Sequence, residues 1–146
     1  MAIRQVIKIG DGILREKSLP VGIFDERIWK LLDDMKETLE HENGAGLAAV
    51  QVGILKRAFI IVTPKKMVEL INPQIIRASG ELADSEGCLS IPGERGNVVR
   101  PAKVKVSAQD RFGTPFCFKA EGYTARAVCH ELDHLDGILY IDKMVK

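Results

Sequence analysis

His130-Glu131-Leu132-Asp133-His134 places two of the chain's three histidines four positions apart. In an α-helix, residues at that spacing return to nearly the same face one turn along, with side chains roughly 6 Å apart. Two imidazoles so arranged can share one metal ion. The segment must then be helical, and another part of the chain must reach it with at least one further ligand. Glu131 is rotated away from direct coordination yet stays within reach of a water activated by such an ion, the position of a general base. The competing reading is a solvated helix that carries two histidines by chance. With only His41 elsewhere in the sequence, the paired spacing favours the metal.

The rest of the chain is organised to serve that helix. At 146 residues it is expected to fold as a single domain, 1–146, that buries roughly two-thirds of its extended surface. A net charge of +1 exerts no long-range pull toward nucleic acid or membrane, so no specific nucleic-acid binding is expected and partners must be read from sites. Three cysteines without an apolar secretory segment read as reduced thiols of a cytoplasmic protein rather than a disulfide framework. The longest apolar runs, such as Ala58-Phe59-Ile60-Ile61-Val62, have the length of strands and cannot span a bilayer. Met1-Ala2-Ile3 begins the fold at once, with no transit peptide visible.

Residues 3 to 24 read as an extended arm with turns at Gly10-Asp11-Gly12 and Pro20. Ile28, Leu31, Leu32, Met35 and Leu39 then form the stripe of an amphipathic helix, with Asp25 as N-cap and Asn43-Gly44 as its stop. Gly44 to Gly53 is too small and Gly-rich for a core strand; its small residues let backbone approach something closely, and Gln51 is its one side chain with both a donor and an acceptor. Ala58 to Val62 and Met67 to Ile71 read as strands joined by Thr63-Pro64-Lys65-Lys66, and Asn72-Pro73 is expected to turn the chain into Gln74 to Ser79. Lys103 to Ala108 alternates as a half-buried strand, and Asp110 to Gly113 turns it into Pro115 to Ala120. A helix from about Tyr123 to Leu135 closes at Gly137, and Ile138 to Ile141 offers a last short strand. The fold class is therefore α+β: antiparallel strands packed around a C-terminal metal-bearing helix, with a second amphipathic helix near the N-terminus.

The third ligand has few candidates. Cys129 points about 100° and 140° away from the two imidazoles on a regular helix and cannot join them. Cys117, between Phe116 and Phe118, reads as a small thiol packed into a sheet. Cys88 is bracketed by Gly and Pro in Glu86-Gly87-Cys88-Leu89-Ser90-Ile91-Pro92-Gly93, expected to be neither helix nor regular strand, where backbone can aim a thiol and an N–H at one point. It is the favoured ligand. His41 is the second choice, although a helix C-terminus explains it as well.

Three stretches, Gly44-Ala45-Gly46-Leu47-Ala48-Ala49-Val50-Gln51, Glu86-Gly87-Cys88-Leu89-Ser90 and His130-Glu131-Leu132-Asp133-His134, together resemble the three motifs of the peptide deformylases, in the same order and at similar separations. The resemblance spans nearly the whole chain. It implies a metal-dependent hydrolase of the compact bacterial type that takes the formyl group off the formyl-methionine of nascent polypeptides and releases formate. By motif, Cys88, His130 and His134 become the metal ligands and Glu131 the acid/base. Gln51 and the N–H of Leu89 bind the formyl oxygen, Gly44, Gly46 and Leu47 line the substrate, and Arg95 lies near the peptide. One divalent ion per chain is implied, Fe²⁺ in the cell and Zn²⁺ (or Ni²⁺ or Co²⁺) in purified protein, with a transient ribosome encounter by a monomer. Two positions depart from the family pattern: Val50 stands where Pro is common, and Cys129 where Gln is common. The chain is expected to be a compact member, without long insertions or a C-terminal extension.

Selectivity for formyl over acetyl requires a narrow space beside the metal, to which Gly46, Leu47 and Leu89 are matched, while Ala127 is a candidate wall for the methionine side chain. Two rivals use the same helix. A metallopeptidase would normally recruit a His or carboxylate as third ligand, which Cys88 and Gln51 argue against. A closed structural site would use four protein ligands and leave no role for Glu131.

Overall fold

Hydrophobic spacing fixes the first long element, α1 (Glu26–Glu42), which buries Ile28, Leu31, Leu32, Met35 and Leu39 along one side. In the computed structural model, which describes residues 2–145, Asp25 caps it by accepting from the Arg27 N–H at 3.0 Å. Asn43 ends it in the left-handed region at φ 57°, a conformation Asn tolerates. Met1, the first residue of the proposed fold start, lies outside the described residues.

Five strands make one antiparallel sheet in the order β1 (Gly46–Ala48), β2 (Ala58–Val62), β3 (Met67–Ser79), β6 (Lys103–Gln109) and β7 (Pro115–Glu121). A second sheet is the hairpin of β4 (Leu82–Cys88) and β5 (Ile91–Arg100). The second helix, α2 (Tyr123–Leu135), lies on the face of the large sheet opposite α1. Alternation along β2 explains how both helices are held: Ala58 and Ile60 pack with the α1 core, Phe59 and Ile61 with the α2 core. The architecture is the expected α+β arrangement of antiparallel strands around a C-terminal helix, with an amphipathic helix near the N-terminus. Among the described residues no helix is long and apolar enough to cross a membrane.

Several local expectations are corrected. Gly46–Ala48 is a buried strand after all, paired with β2, because Leu47 points into the α1 core and Ala48 into the α2 core. Asn72-Pro73 does not turn the chain. Asn72, at φ 50°, makes an irregularity inside a continuous β3, and its side chain accepts from Val21 N–H while donating to Val21 O and Gln109 Oε1. Glu86 to Gly93 is the end of the β4–β5 hairpin, with Leu89-Ser90 as its turn; it departs from regular pairing as expected, through a register shift between Glu86 and Cys88. Pro92 is tolerated there because a two-stranded sheet has only edges. Ile138 to Ile141 is not a strand; Tyr140–Asp142 forms a 3-10 turn that buries Tyr140 and pairs Asp142 with Arg15. Within the N-terminal arm, Gly12–Arg15 is likewise a 3-10 turn. Cys117 is exposed rather than packed: β7 turns Phe116 and Phe118 toward the core and Cys117 outward.

Candidate metal centre and active site

Three elements converge on one point. On α2, His130 and His134 are both buried, with ring centroids 4.9 Å apart. At the end of β4, Cys88 brings its Sγ to 3.4 Å from His134 Nε2, and one ligand atom of each of Cys88, His130 and His134 lies within 4.8 Å of the others. Thiolate and imidazole donors sharing a tetrahedral ion stand about 3.6 Å apart, given metal–sulfur and metal–nitrogen bonds of about 2.3 and 2.05 Å. The set therefore fits a divalent ion without rearrangement of the backbone. The carboxylate of Glu86 can only accept, so His130 Nδ1, 2.8 Å from Glu86 Oε1, carries the proton and its Nε2 lone pair is left for a metal.

The third element is the 3-10 turn Ala49–Val52 that follows β1. Gln51 is buried there, and its Oε1 accepts from Ala48 N–H at 2.9 Å. That bond fixes the amide orientation: Nε2 faces the hairpin and donates to Ser90 Oγ at 3.1 Å and to Cys88 Sγ at 3.5 Å. Val50 is fully buried, so packing holds this turn where a proline ring is absent. The N-terminal arm ties the turn to the hairpin. Ile7 N–H donates to Gln51 O, Ile9 N–H to Ser90 O, and Lys8 Nζ to Leu89 O at 3.1 Å.

Glu131 is buried beside Gly46, and its Oε1 has no hydrogen-bond partner among the described residues. Burial pushes its carboxyl up to about 7, against the opposing pull of the His130 charge, so it can exist in either protonation state near neutrality. Gly46 is required by space: a Cβ there would lie 2.7 Å from Glu131 Oε2. Gly46→Ala is therefore expected to displace the carboxylate and to lower any hydrolysis that uses it as a proton carrier by at least about tenfold, a part of the 10²–10⁴-fold that such a positioned group typically contributes. Unchanged kcat/KM would show that Glu131 does not act from this position.

A cavity of about 530 Å³ opens beside these groups, lined among others by Gly44, Gly46, Gln51, Cys88, Leu89, Arg95, Ala127 and Glu131. Arg95 stands at its rim, donating to Ser85 Oγ at 2.9 Å. Leu47 is not brought to it, since its side chain is buried in the α1 core. His41 sits exposed in the last turn of α1 and is not part of the ligand cluster. Cys129 is also outside it; burial raises that thiol to about 11 and keeps it protonated.

A sequence model of the polypeptide deformylases matches residues 3–146. The chain belongs to the polypeptide deformylase family. It is similar to the peptide deformylase of Caldicellulosiruptor bescii, at 55% identity over 146 residues, which is 100% of this chain and 88% of that protein. In structure it is similar to the peptide deformylase of Thermotoga maritima, with a TM-score of 0.98 at 37% identity, covering 100% of both chains. The Legionella pneumophila peptide deformylase gives 0.95 at 41% identity, covering 99% of this chain and 87% of that one.

This deformylase-family chain also carries a buried ionic cluster that its motifs do not announce. Glu86 accepts from Arg100 Nε and Nη2 at 2.8 and 3.0 Å and from Arg126 Nη1 at 2.7 Å, besides His130. Burial by itself would raise the Glu86 pKa, but the Arg100 and His130 hydrogen bonds outweigh it and hold the carboxyl well below the usual carboxylate range. Arg100 reaches Asp133 at 2.6 Å, and Arg126 also donates to Val98 O and Leu82 O. Arg126 lies four residues before His130 and hence on the same helix face, and Glu86 and Asp133 fall within the second and third motifs, where the sequence alone gave them no role.

Proposed function

We propose that this chain removes the formyl group from the N-terminal formyl-methionine of nascent polypeptides, using one divalent ion held by Cys88, His130 and His134. The observation that supports it most directly is the juxtaposition of three donors, a buried carboxylate and an oriented amide at one wall of a cavity. The ion supplies Lewis acidity, which acidifies water and polarises a carbonyl oxygen. Thiolate and imidazole donors accept Fe²⁺, Zn²⁺, Ni²⁺ or Co²⁺, and Fe²⁺ is the ion proposed in the cell.

Glu131 takes the proton of the attacking water and returns it to the departing amine, leaving formate and a free amino terminus. One N–H of Gln51 Nε2, exchanged from its long 3.5 Å contact with Cys88 Sγ, and the Leu89 N–H bind the formyl oxygen as charge develops on it, where one such donor contributes on the order of 3 kcal/mol. Gln51 is well placed for this because Ala48 forbids its amide from flipping. The peptide lies along β1, an edge strand of the large sheet whose preceding residues Gly44 and Ala45 line the cavity, so its main chain can add to that edge. Ala127 and Leu89 form apolar wall for the methionine side chain, and Arg95 meets the peptide at the rim. We further propose that the chain works in the cytoplasm as a monomer that meets the ribosome transiently.

Comparison of formyl-Met-Ala with acetyl-Met-Ala tests this reading. Formate release from the first is expected, with the acetyl peptide turned over at least tenfold more slowly, the lower end of what a misfitting methyl is worth. Equal turnover of both, or of neither after loading with Fe²⁺ or Ni²⁺, rejects the assignment.

A further inference from the structure

The face of the large sheet that carries α1 is only half covered. The helix packs over β1, β2 and the start of β3, through Ala58, Ile60 and Ile71, while Arg77, Ser79, Lys103, Lys105, Lys119 and Glu121 on late β3, β6 and β7 line an open groove in which Lys105 is half-buried. On that open half, register places Arg77 opposite Lys105 and Lys105 opposite Lys119. Directly opposed side chains have Cβ atoms about 5 Å apart, so three cations form a row roughly 10 Å long across three strands. Lys103 extends it in the next row, between Ser79 and Glu121. These residues line a groove of about 460 Å³.

The charges here are handled differently from those beside α1. There, Arg111 is paired with Asp33 and Glu69, and Lys36 with Glu69 at 3.0 Å. In the groove, Lys103 has a loose partner in Glu121 at 3.9 Å, but among the described residues Arg77, Lys105 and Lys119 have no carboxylate within ion-pair distance. Like charges placed directly opposite one another destabilise a sheet. A chain with a net charge of only +1 has concentrated cations where folding gains nothing from them. The outward neighbours in the flanking rows are Ser79 and Glu121 on one side and Gln74, Ser107 and Cys117 on the other; their hydroxyl and amide groups suit phosphate and sugar oxygens rather than a lipid interior.

We propose that this half-face docks the phosphate backbone of RNA, without base recognition. The choice of RNA over other polyanions rests on the nascent-chain reading above, since Glu121 in the groove and Tyr123 in the wall of the catalytic cavity are two residues apart. An RNA bound here would hold the cavity mouth beside the particle that makes the substrate.

The test uses the metal-loaded full chain, a labelled 20-nucleotide single-stranded RNA and the variant Arg77→Gln/Lys105→Gln/Lys119→Gln. With about 0.7 counterions released per phosphate neutralised, three contacts make the wild type lose roughly twentyfold more affinity than the variant between about 50 and 200 mM salt. The variant is expected to bind RNA at least tenfold more weakly at the lower salt, to melt no earlier than wild type, and to deformylate a short formyl peptide unchanged. A control, Lys65→Gln/Lys66→Gln, should bind like wild type. Equal RNA affinity of wild type and triple variant, or absence of RNA binding by wild type at low salt, overturns the proposal. So does tighter binding to anionic phospholipid vesicles than to RNA. RNA binding is read without substrate, so failure of the deformylase assignment would show separately.

Discussion

Glu131→Gln is expected to lower formate release from formyl-Met-Ala by about 10²–10⁴-fold while leaving the metal content and the fold intact. The substitution keeps the shape of the side chain, which matters because Gly46 leaves it no spare room. It removes only the capacity to take up and return a proton. An amide at this position still fills the space beside β1 and can still hydrogen-bond a water, so binding of the peptide should change little and the loss should fall on kcat. Stability should not fall and can rise. A carboxyl whose burial pushes it up to about 7 is one that the interior makes costly to ionise, and a neutral amide avoids that cost. Metal analysis, thermal melting and steady-state kinetics on the same sample separate the outcomes. Activity within tenfold of wild type at equal metal content would remove Glu131 from the mechanism; loss of the ion would make it a structural residue instead.

The features legible in the sequence were those set by local periodicity or by residue types with few uses. Both helices could be read because their apolar stripes are local patterns, and α1 also because its stops, Asp25 and Asn43, lie at the ends of that stripe. The alternation in β6 was equally plain, since Val104, Val106 and Ala108 face the α2 core. The β4–β5 hairpin was not legible. Gly87, Pro92, Gly93 and Gly96 interrupt it, and most of its side chains are exposed, so no period of two survives. Asn72-Pro73 carries a strong local turn signal, yet the strand runs through it, because Asn72 finds its partners in Val21 and Gln109, 51 and 37 residues away. In the site, Cys88, His130 and His134 could be named because thiols and imidazoles are scarce. Leu47 illustrates the limit of a motif: alternation along β1 turns Gly46 toward Glu131 and Leu47 toward α1. Glu86 was invisible as a functional residue, since its partners Arg100, Arg126 and His130 lie 14, 40 and 44 positions away and only the fold assembles them.

That cluster leads to the second large effect. Glu86→Gln is expected to destabilise the fold by about 3 kcal/mol, the low end of the range for breaking a buried ion pair, and to lower the melting temperature by roughly 10 °C. The low end applies because the partners are not wholly orphaned: Arg100 keeps Asp133, and Arg126 keeps the Val98 and Leu82 carbonyls. What they lose is the carboxylate by which β4 is tied to β5 and α2. The ion is affected as well. His134 Nδ1 is buried without a hydrogen-bond partner among the described residues, so of the two imidazoles only His130 is steered by a carboxylate. Removing that carboxylate charge weakens His130 as a donor and loosens its ring, which typically costs 10–100-fold in metal affinity. Tyr140, stacked on the His130 ring with centroids 6.1 Å apart, limits how far the ring can move and so keeps the loss within that range. Chelator competition with the folded variant, at a temperature well below its melting point, measures this separately from stability. A variant that melts early but holds its ion as tightly as wild type would confine Glu86 to joining the hairpin to the helix. One that also releases the ion would show that the same carboxylate holds His130 as a ligand.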